Sequence, residues 1–306
     1  MRRQPGRRAV LAGLGCALAL PRTGWAMAGA PLVMGDVTVR VFSDGARTLP
    51  LTTLYADVPR ADLDAAYAAA GHGAAPDDLP TPSNVTLIET AGQRILVDAG
   101  GGPNWSATTG RLEEALLQEG IAAQDITDLV FTHAHPDHLW GALDDFEELP
   151  RFADARHLMT EAEHRYWSDH VATGDGFRDG MALGAQRVMA DLGPTLELVG
   201  PEAQIAPGVR LLTSPGHTPG HVCVLVEGAG AQLLILGDAI TNPVISFARP
   251  DWPLATDADP AAGAATRARL LDRCSADGLS VIGFHLPFPG LGRVERRGTA
   301  YGFVPS

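Results

Sequence analysis

The run Thr132-His133-Ala134-His135-Pro136-Asp137-His138 constrains this chain more than any other stretch. From His133 to His138 it sets three imidazoles and one carboxylate in an HxHxDH spacing. Neutral imidazole and carboxylate are the ligands that divalent zinc, iron and manganese share. The apolar run Leu129-Val130-Phe131 comes directly before, so the motif reads as a loop at the end of a buried strand. Ligands and catalytic groups gather at such strand ends in α/β proteins. A solvated polar loop is the bland alternative. With 10 His in 306 residues, chance leaves little room for this cluster.

Composition narrows the classes. A hydrophobic content of 45% with 19% charged residues fits a globular chain with a sizeable core. All 23 basic residues are Arg, which excludes lysine Schiff-base chemistry and a P-loop lysine. Residues 1–28 read as a cleaved export signal. Arg2-Arg3 and Arg7-Arg8 precede the apolar run Ala9 to Leu20, and Ala26-Met27-Ala28 offers a small-x-small cleavage site. Arg7-Arg8-Ala9-Val10-Leu11 resembles a twin-arginine signal, the alternative being an ordinary signal that exports unfolded chains. A periplasmic or secreted location is expected, with residues 29–306 forming one domain.

Cleavage leaves 18 Arg against 36 acidic residues, a formal charge of −18, and no basic run. Nucleic acid is therefore not expected as a partner, nor a membrane after cleavage; a homodimer stays open. Of the remaining cysteines, Cys223 lies in the apolar run Val222–Val226 and reads as core. Spacing leaves a Cys223–Cys274 disulfide open, and two cysteines are too few for a thiol-ligated structural zinc.

Patterning along the chain alternates strands and helices. Val37, Val39 and Val41 mark a strand closed by Ser43-Asp44-Gly45, and Ala61 to Ala70 a helix. A loop is expected over His72 to Pro82, then a hairpin of Val85–Glu89 and Arg94–Val97 around Ala91-Gly92. Arg111–Glu119 predicts a helix with Leu112, Leu116 and Leu117 on one face. His157–Met159 predicts a strand; Glu161–His170 and Met181–Leu192 predict helices joined by the Gly-rich Thr173–Gly180. Val209–Thr213, His221–Val226, Gln232–Leu236 and Ser280–Phe284 predict strands, with a helix over 258–276. Each half is strand-rich and is expected to close with helices. A sandwich of sheets flanked by helices fits this order.

Three more metal-type residues fall where buried strands stop: His217 in Pro215-Gly216-His217-Thr218-Pro219-Gly220-His221, Asp238 in Leu236-Gly237-Asp238, and His285 in Phe284-His285-Leu286-Pro287. One alone would be read as a satisfied polar group. His72, His157, His164 and His170 have no such context and read as surface or helix residues.

Together with HxHxDH and Leu96-Val97-Asp98-Ala99-Gly100, these motifs resemble the metallo-β-lactamase superfamily across nearly all of residues 29–306. The ending His285-Leu286-Pro287-Phe288-Pro289-Gly290-Leu291-Gly292, with Tyr301 to Pro305, is most similar to its methyl parathion hydrolase branch. The resemblance implies an αββα sandwich of the α/β class, with two divalent ions in a cleft along one sheet edge. It implies His133, His135 and His217 around the first ion and Asp137, His138 and His285 around the second, with Asp238 between them. The β-lactamases proper lack that shared carboxylate, which argues against lactam hydrolysis. Zinc is the expected metal, with manganese, iron and cobalt as alternatives.

The resemblance makes Asp137 and Asp238 the catalytic carboxylates. Asp98 and His221 are expected to support ligands rather than bind metal. Trp105, Trp140, Trp167 and Phe177 are expected to line a substrate pocket. Two cations about 3.5–4 Å apart would share one water and lower its pKa toward neutrality. The expected function is hydrolysis of ester, lactone or phosphotriester bonds in small uncharged substrates by that bridging hydroxide. A mononuclear iron persulfide dioxygenase and a non-catalytic metal-binding protein are the alternatives. No Ser-His-Asp triad is expected at Ser214, which lacks a strand-turn-helix elbow.

Overall fold

In the computed structural model, residues 27–144, 146 and 149–306 are described, and two seven-stranded sheets lie face to face. The first holds β1 (Leu32–Met34), β2 (Val37–Pro50), β3 (Asp78–Thr90), β4 (Gln93–Val97), β5 (Asp128–Val130), β6 (Arg156–Thr160) and β7 (Leu196–Val199), paired in chain order. The second holds β8 (Gln204–Ala206), β9 (Val209–Thr213), β10 (Val222–Gly228), β11 (Ala231–Ile235), β12 (Ser280–Ile282), β13 (Leu291–Arg297) and β14 (Ala300–Pro305). Strands β4 to β7 run parallel, as do β11 and β12; the other pairs are antiparallel.

The helices are α1 (Leu51–Leu54), α2 (Arg60–Ala69), α3 (Gly102–Trp105), α4 (Leu112–Gln118), α5 (Pro136–Leu139), α6 (Glu161–Ser168), α7 (Gly176–Leu192), α8 (Ile245–Ala248) and α9 (Pro260–Asp277). Strand pleating sends successive side chains to opposite faces, and both faces are covered here. In β4, Ile95 and Val97 enter the core between the sheets, while Leu96 packs outward with Leu112 and Leu116 of α4. In β10, Val222, Val224 and Val226 point between the sheets, while Cys223 and Leu225 meet Leu270 and Cys274 of α9. The layer order is thus helix, sheet, sheet, helix, as the resemblance implies.

Several local expectations change. Ser43-Asp44-Gly45 does not end β2: the strand bulges there and pairs onward with Asp78–Ser83, so the expected loop stops short of Pro82. The turn-like composition serves a buried Asp44 carboxylate instead, which accepts from the N–H groups of Gly101, Gly110 and Leu112 at 2.9, 3.1 and 3.0 Å. Leu117 is 55% exposed and leaves the buried face of α4. Helix α7 begins inside the Gly-rich segment, capped by Asp175, and the second half closes with the β13–β14 hairpin rather than a helix. Cys223 and Cys274 are both buried free thiols. Among the described residues no helix is long and apolar enough to cross a membrane. The expected export signal lies outside the described residues except for Met27 and Ala28. The Met27 carbonyl accepts from Ser43 N–H at 2.8 Å, and Ala28 bridges to Phe42.

His157 is not a surface residue. It is fully buried in β6, stacked 6.3 Å from Phe131, and neither ring nitrogen has a hydrogen bond of good geometry, the Thr195 backbone offering only a weak contact. Burial pushes its pKa down to about 4, with only the Thr195 backbone acting the other way. The unfolded chain therefore binds a proton between the ordinary imidazole value and pH 4 that the folded chain refuses. Stability falls as pH drops through that window, by up to about 3 kcal/mol from this residue. Denaturant unfolding at pH 7 and 4.5 should show a smaller acid loss in His157→Phe than in the wild type.

Candidate metal centre

Every motif residue sits just beyond the carboxyl end of a strand, along one edge of the sandwich. Asp98 follows β4, His133 to His138 follow β5, His217 follows β9, Asp238 follows β11 and His285 follows β12. Two glycines make the approach possible. Gly216, at φ +131°, lies so close to Gly263 that a Cβ would stand 2.2 Å from its nitrogen. A Cβ on Gly237, at φ +51°, would stand 2.6 Å from His221 Nε2.

Two groups of ligand-type atoms form, each with all its atoms within 4.8 Å of one another. The first is His133, His135, His217 and Asp238; the second is Asp137, His138 and His285. His135 Nδ1 lies 2.9 Å from both His133 Nε2 and His217 Nε2. Asp238 touches both groups: Oδ2 is 3.3 Å from His217 Nε2 and 3.2 Å from His285 Nε2, and Oδ1 is 3.2 Å from His138 Nε2. His285 Nε2 also stands 3.4 Å from Asp137 Oδ2.

The outer faces of these rings decide their tautomers. A neutral imidazole carries one N–H, and the partner on one nitrogen sets what the other offers. His138 Nδ1 faces Asp98 Oδ2 at 2.8 Å, His217 Nδ1 faces Asp257 Oδ1 at 3.0 Å, and His285 Nδ1 faces the Pro82 carbonyl at 2.8 Å. All three partners only accept, so each Nδ1 donates and each Nε2 turns a lone pair inward. Lone pairs then meet lone pairs and carboxylate oxygens in a buried space. His138 Nε2 and Asp238 Oδ1 are left without a hydrogen-bond partner. An imidazole–carboxylate set with orphaned inward acceptors fits divalent cations, which supply the missing positive charge.

Proton energetics carry the same message. Burial first, then the neighbouring imidazoles, push His133 and His135 well below the ordinary histidine value. Burial opposes charge on His138 too, but Asp238, Asp98 and Asp137 outweigh it and hold its pKa well above the ordinary value. Burial would raise Asp238, yet His285 and His138 pull it well below the usual carboxylate range. The centre thus demands positive charge between these groups, as protons or as metal.

Support comes from residues with no motif of their own. Glu163 of α6 is buried and ties three segments together. Its Oε1 accepts from Ala134 N–H at 2.9 Å and Trp167 Nε1–H at 2.7 Å; its Oε2 accepts from the Thr218 hydroxyl at 2.5 Å and Gly220 N–H at 3.2 Å. Asp98 adopts φ +65°, uncommon outside glycine, and also accepts from Thr132 N–H at 2.8 Å. His221 does not join either group: its Nε2 accepts from Asp238 N–H at 3.0 Å, and its Nδ1 meets Ser214 Oγ at 2.8 Å.

The centre opens into a cavity of about 560 Å³. His135, Asp137, His217, Asp238 and His285 form its floor, and Trp105, Tyr166, Trp167, Phe177 and Met181 supply apolar walls. Trp167 meets His135 edge-on at 5.4 Å, and Phe177 is 61% exposed at the rim. Trp140 corrects the expectation: it does not line the cavity but stands behind Trp105, ring centroids 5.4 Å apart, wedged against Gly184. Another part of the wall, with Arg47, Leu49, Thr53 and Leu54, had no sequence signal, because only the prolonged β2 and the α1 that follows it carry these residues there. His170, read from sequence as a surface or helix residue, also faces this cavity.

The family model described as the metallo-beta-lactamase superfamily matches residues 78–277, and the chain belongs to that superfamily. A probable metallo-hydrolase of Mycobacterium tuberculosis is 30% identical over 186 residues, 51% of this chain and 56% of the relative. An atrochrysone carboxyl ACP thioesterase of Pseudocercospora fijiensis is 28% identical over 159 residues, 52% of this chain and 37% of the relative. The chain therefore spans between about a third and about three fifths of the length of these curated relatives. Among solved structures, the dizinc quorum-quenching lactonase AidC, in complex with a product, superposes with TM-score 0.85 at 24% identity, covering 92% of this chain and 98% of that one. The hydrolase AbOPH of the beta lactamase superfamily gives TM-score 0.82 at 22% identity, covering 90% and 96%. At these identities the likeness is one of fold.

Asp98→Asn tests the support of His138. Both Asp98 oxygens accept, so an amide must present N–H₂ to an existing donor. Metal affinity, measured by chelator competition, should drop about 10- to 100-fold while the fold is kept.

Proposed function

We propose that this chain is a dinuclear zinc hydrolase that cleaves ester, lactone or phosphotriester bonds of small, uncharged, largely apolar substrates. The observation that carries the reading is Asp238, whose two oxygens reach both ligand groups at the floor of an apolar cavity. In the proposed assignment His133, His135 and His217 hold one ion, Asp137, His138 and His285 the other, and Asp238 is shared. Bound divalent ions would lower the pKa of a water and stabilise the oxyanion that forms at carbon or phosphorus.

The remaining work falls to the chain's own residues. Trp167, Tyr166 and Trp105 exclude water around the reacting group and bind its apolar substituents. Asp257 and Asp98 keep the protons of His217 and His138 on their outer nitrogens. A serine nucleophile is not part of this reading: Ser214 is buried, off the cavity wall, and bonded to a histidine whose other nitrogen serves Asp238 N–H. The lactonase named above is described as dizinc, and the thioesterase relative acts on an acyl bond; both support an acyl-transfer to water here. We extend the proposal to location: residues 1–28 act as a cleaved export signal, and residues 29–306 work as one domain in the periplasm or outside the cell.

The test is metal counting with a substrate panel. Mass spectrometry of zinc-loaded protein should give two ions per chain. At least one of an aryl ester, an acyl lactone and a phosphotriester should turn over. Asp238→Ala should lower kcat by about 100-fold or more. Two bound zincs with silence on all three substrates would sink the reading. One iron per chain with persulfide oxidation would replace it.

A further inference from the structure

Outside the metal-type cluster, one wall of the cavity carries His170, an imidazole paired from outside the cavity with the Asp179 carboxylate. His170 follows α6 and lines the cavity, and its Nε2 lies 2.9 Å from Asp179 Oδ1 of α7. Asp179 is a committed acceptor. It also receives Thr173 N–H at 2.9 Å, the Thr173 hydroxyl at 3.1 Å and Gly174 N–H at 2.9 Å. Those backbone bonds, with the imidazole, draw its pKa down to about 2, so it stays ionised and can only accept. The backbone of His170 is held as well: its main-chain N–H donates to the Trp167 carbonyl at 3.3 Å, and Gln186 Nε2–H donates to the His170 carbonyl at 3.5 Å. Trp167 is in turn locked against His135 and Glu163.

With its proton committed to Asp179, a neutral His170 keeps a free lone pair on Nδ1, which has no protein partner among the described residues. An ion pair that merely capped α7 would not need the cavity wall, since Asp179 already satisfies the loop before it. The surrounding wall is largely apolar, with Tyr166, Trp167, Phe177 and Met181 beside Thr173 and Arg178. Beside the donors of Thr173 and Arg178, an oriented acceptor in a largely apolar wall discriminates between ligands with and without a donor, because the mismatched pair leaves a polar group unpaired.

We propose that the His170–Asp179 pair is a specificity device, with His170 Nδ1 accepting a hydrogen bond from an N–H or O–H of the bound molecule, away from the bond that is cleaved. The occupant's class is an acyl compound carrying a secondary amide or a hydroxyl beside its reactive group. That the occupant is a substrate rests on the hydrolase reading; that the wall prefers a donor does not.

The experiment measures binding without turnover. Quenching of tryptophan fluorescence in the zinc-loaded protein, above neutral pH, compares a secondary N-alkyl hexanamide with its N-methyl tertiary counterpart. The secondary amide should bind about 5- to 10-fold more tightly, the value of one neutral hydrogen bond. In His170→Ala the ratio should fall to about one. In Asp179→Ala it should also fall, because no acceptor then holds the imidazole proton on Nε2. Equal binding by the wild type, no binding of either amide, or a preference that survives either substitution overturns the proposal. If the preference is present but no ester, lactone or phosphotriester is hydrolysed, the hydrolase reading fails and this one stands.

Discussion

The inward lone pairs of His138, His217 and His285, set against the oxygens of Asp238, are the constraint on which the rest of the structure depends. Like-facing acceptors at 3.2 to 3.3 Å in a buried space repel unless positive charge stands between them. The surrounding architecture holds them there nonetheless. Each imidazole is turned by an outer acceptor drawn from a different segment: Asp98 after β4, Asp257 before α9, and the Pro82 carbonyl within β3. Removing any of these would let a ring rotate and relieve the conflict without metal.

That demand explains features that cost stability elsewhere. Asp98 takes a left-handed backbone to present its carboxylate to both Thr132 and His138. Glu163 is a buried carboxylate, its pKa raised by burial, which is tolerated because four donors from three segments satisfy it. Through Trp167 the same residue joins the metal floor to the aromatic wall. The aromatic wall and the ligand geometry therefore share one rigid support, and a change at Glu163 should disturb both.

The parts readable in the sequence are those whose signal is local. Alternating Val37, Val39 and Val41, the hairpin around Ala91-Gly92 and the apolar runs of β10 and β11 declare themselves within a few residues. The HxHxDH motif does so by composition, and the three distant strand-end residues by the apolar runs before them. What stayed hidden is what neighbours in space supply. The Ser-Asp-Gly of residues 43–45 carries a turn signature, yet pairing with β3 carries the strand through it. Leu117 matches the helical period and still faces solvent. Glu163 and Asp257 look like ordinary helix and loop acids until His217 and its loop are folded against them. Trp140 and Trp105 have equal claims to a pocket by residue type, and packing alone puts one behind the other.

The sequence by itself determined the chemistry of the centre: which side chains could hold metal, that strand ends would carry them, and that lysine chemistry and a thiol-ligated structural zinc were not on offer. It did so because ligand types and strand periodicity are properties of a few adjacent residues. Only the tertiary structure decided how those side chains divide between two groups, which nitrogen of each imidazole turns inward, and which residues line the cavity. Those depend on distances and hydrogen-bond partners between segments far apart in the chain, such as His217 with Asp257 and His170 with Asp179, which the sandwich alone brings together.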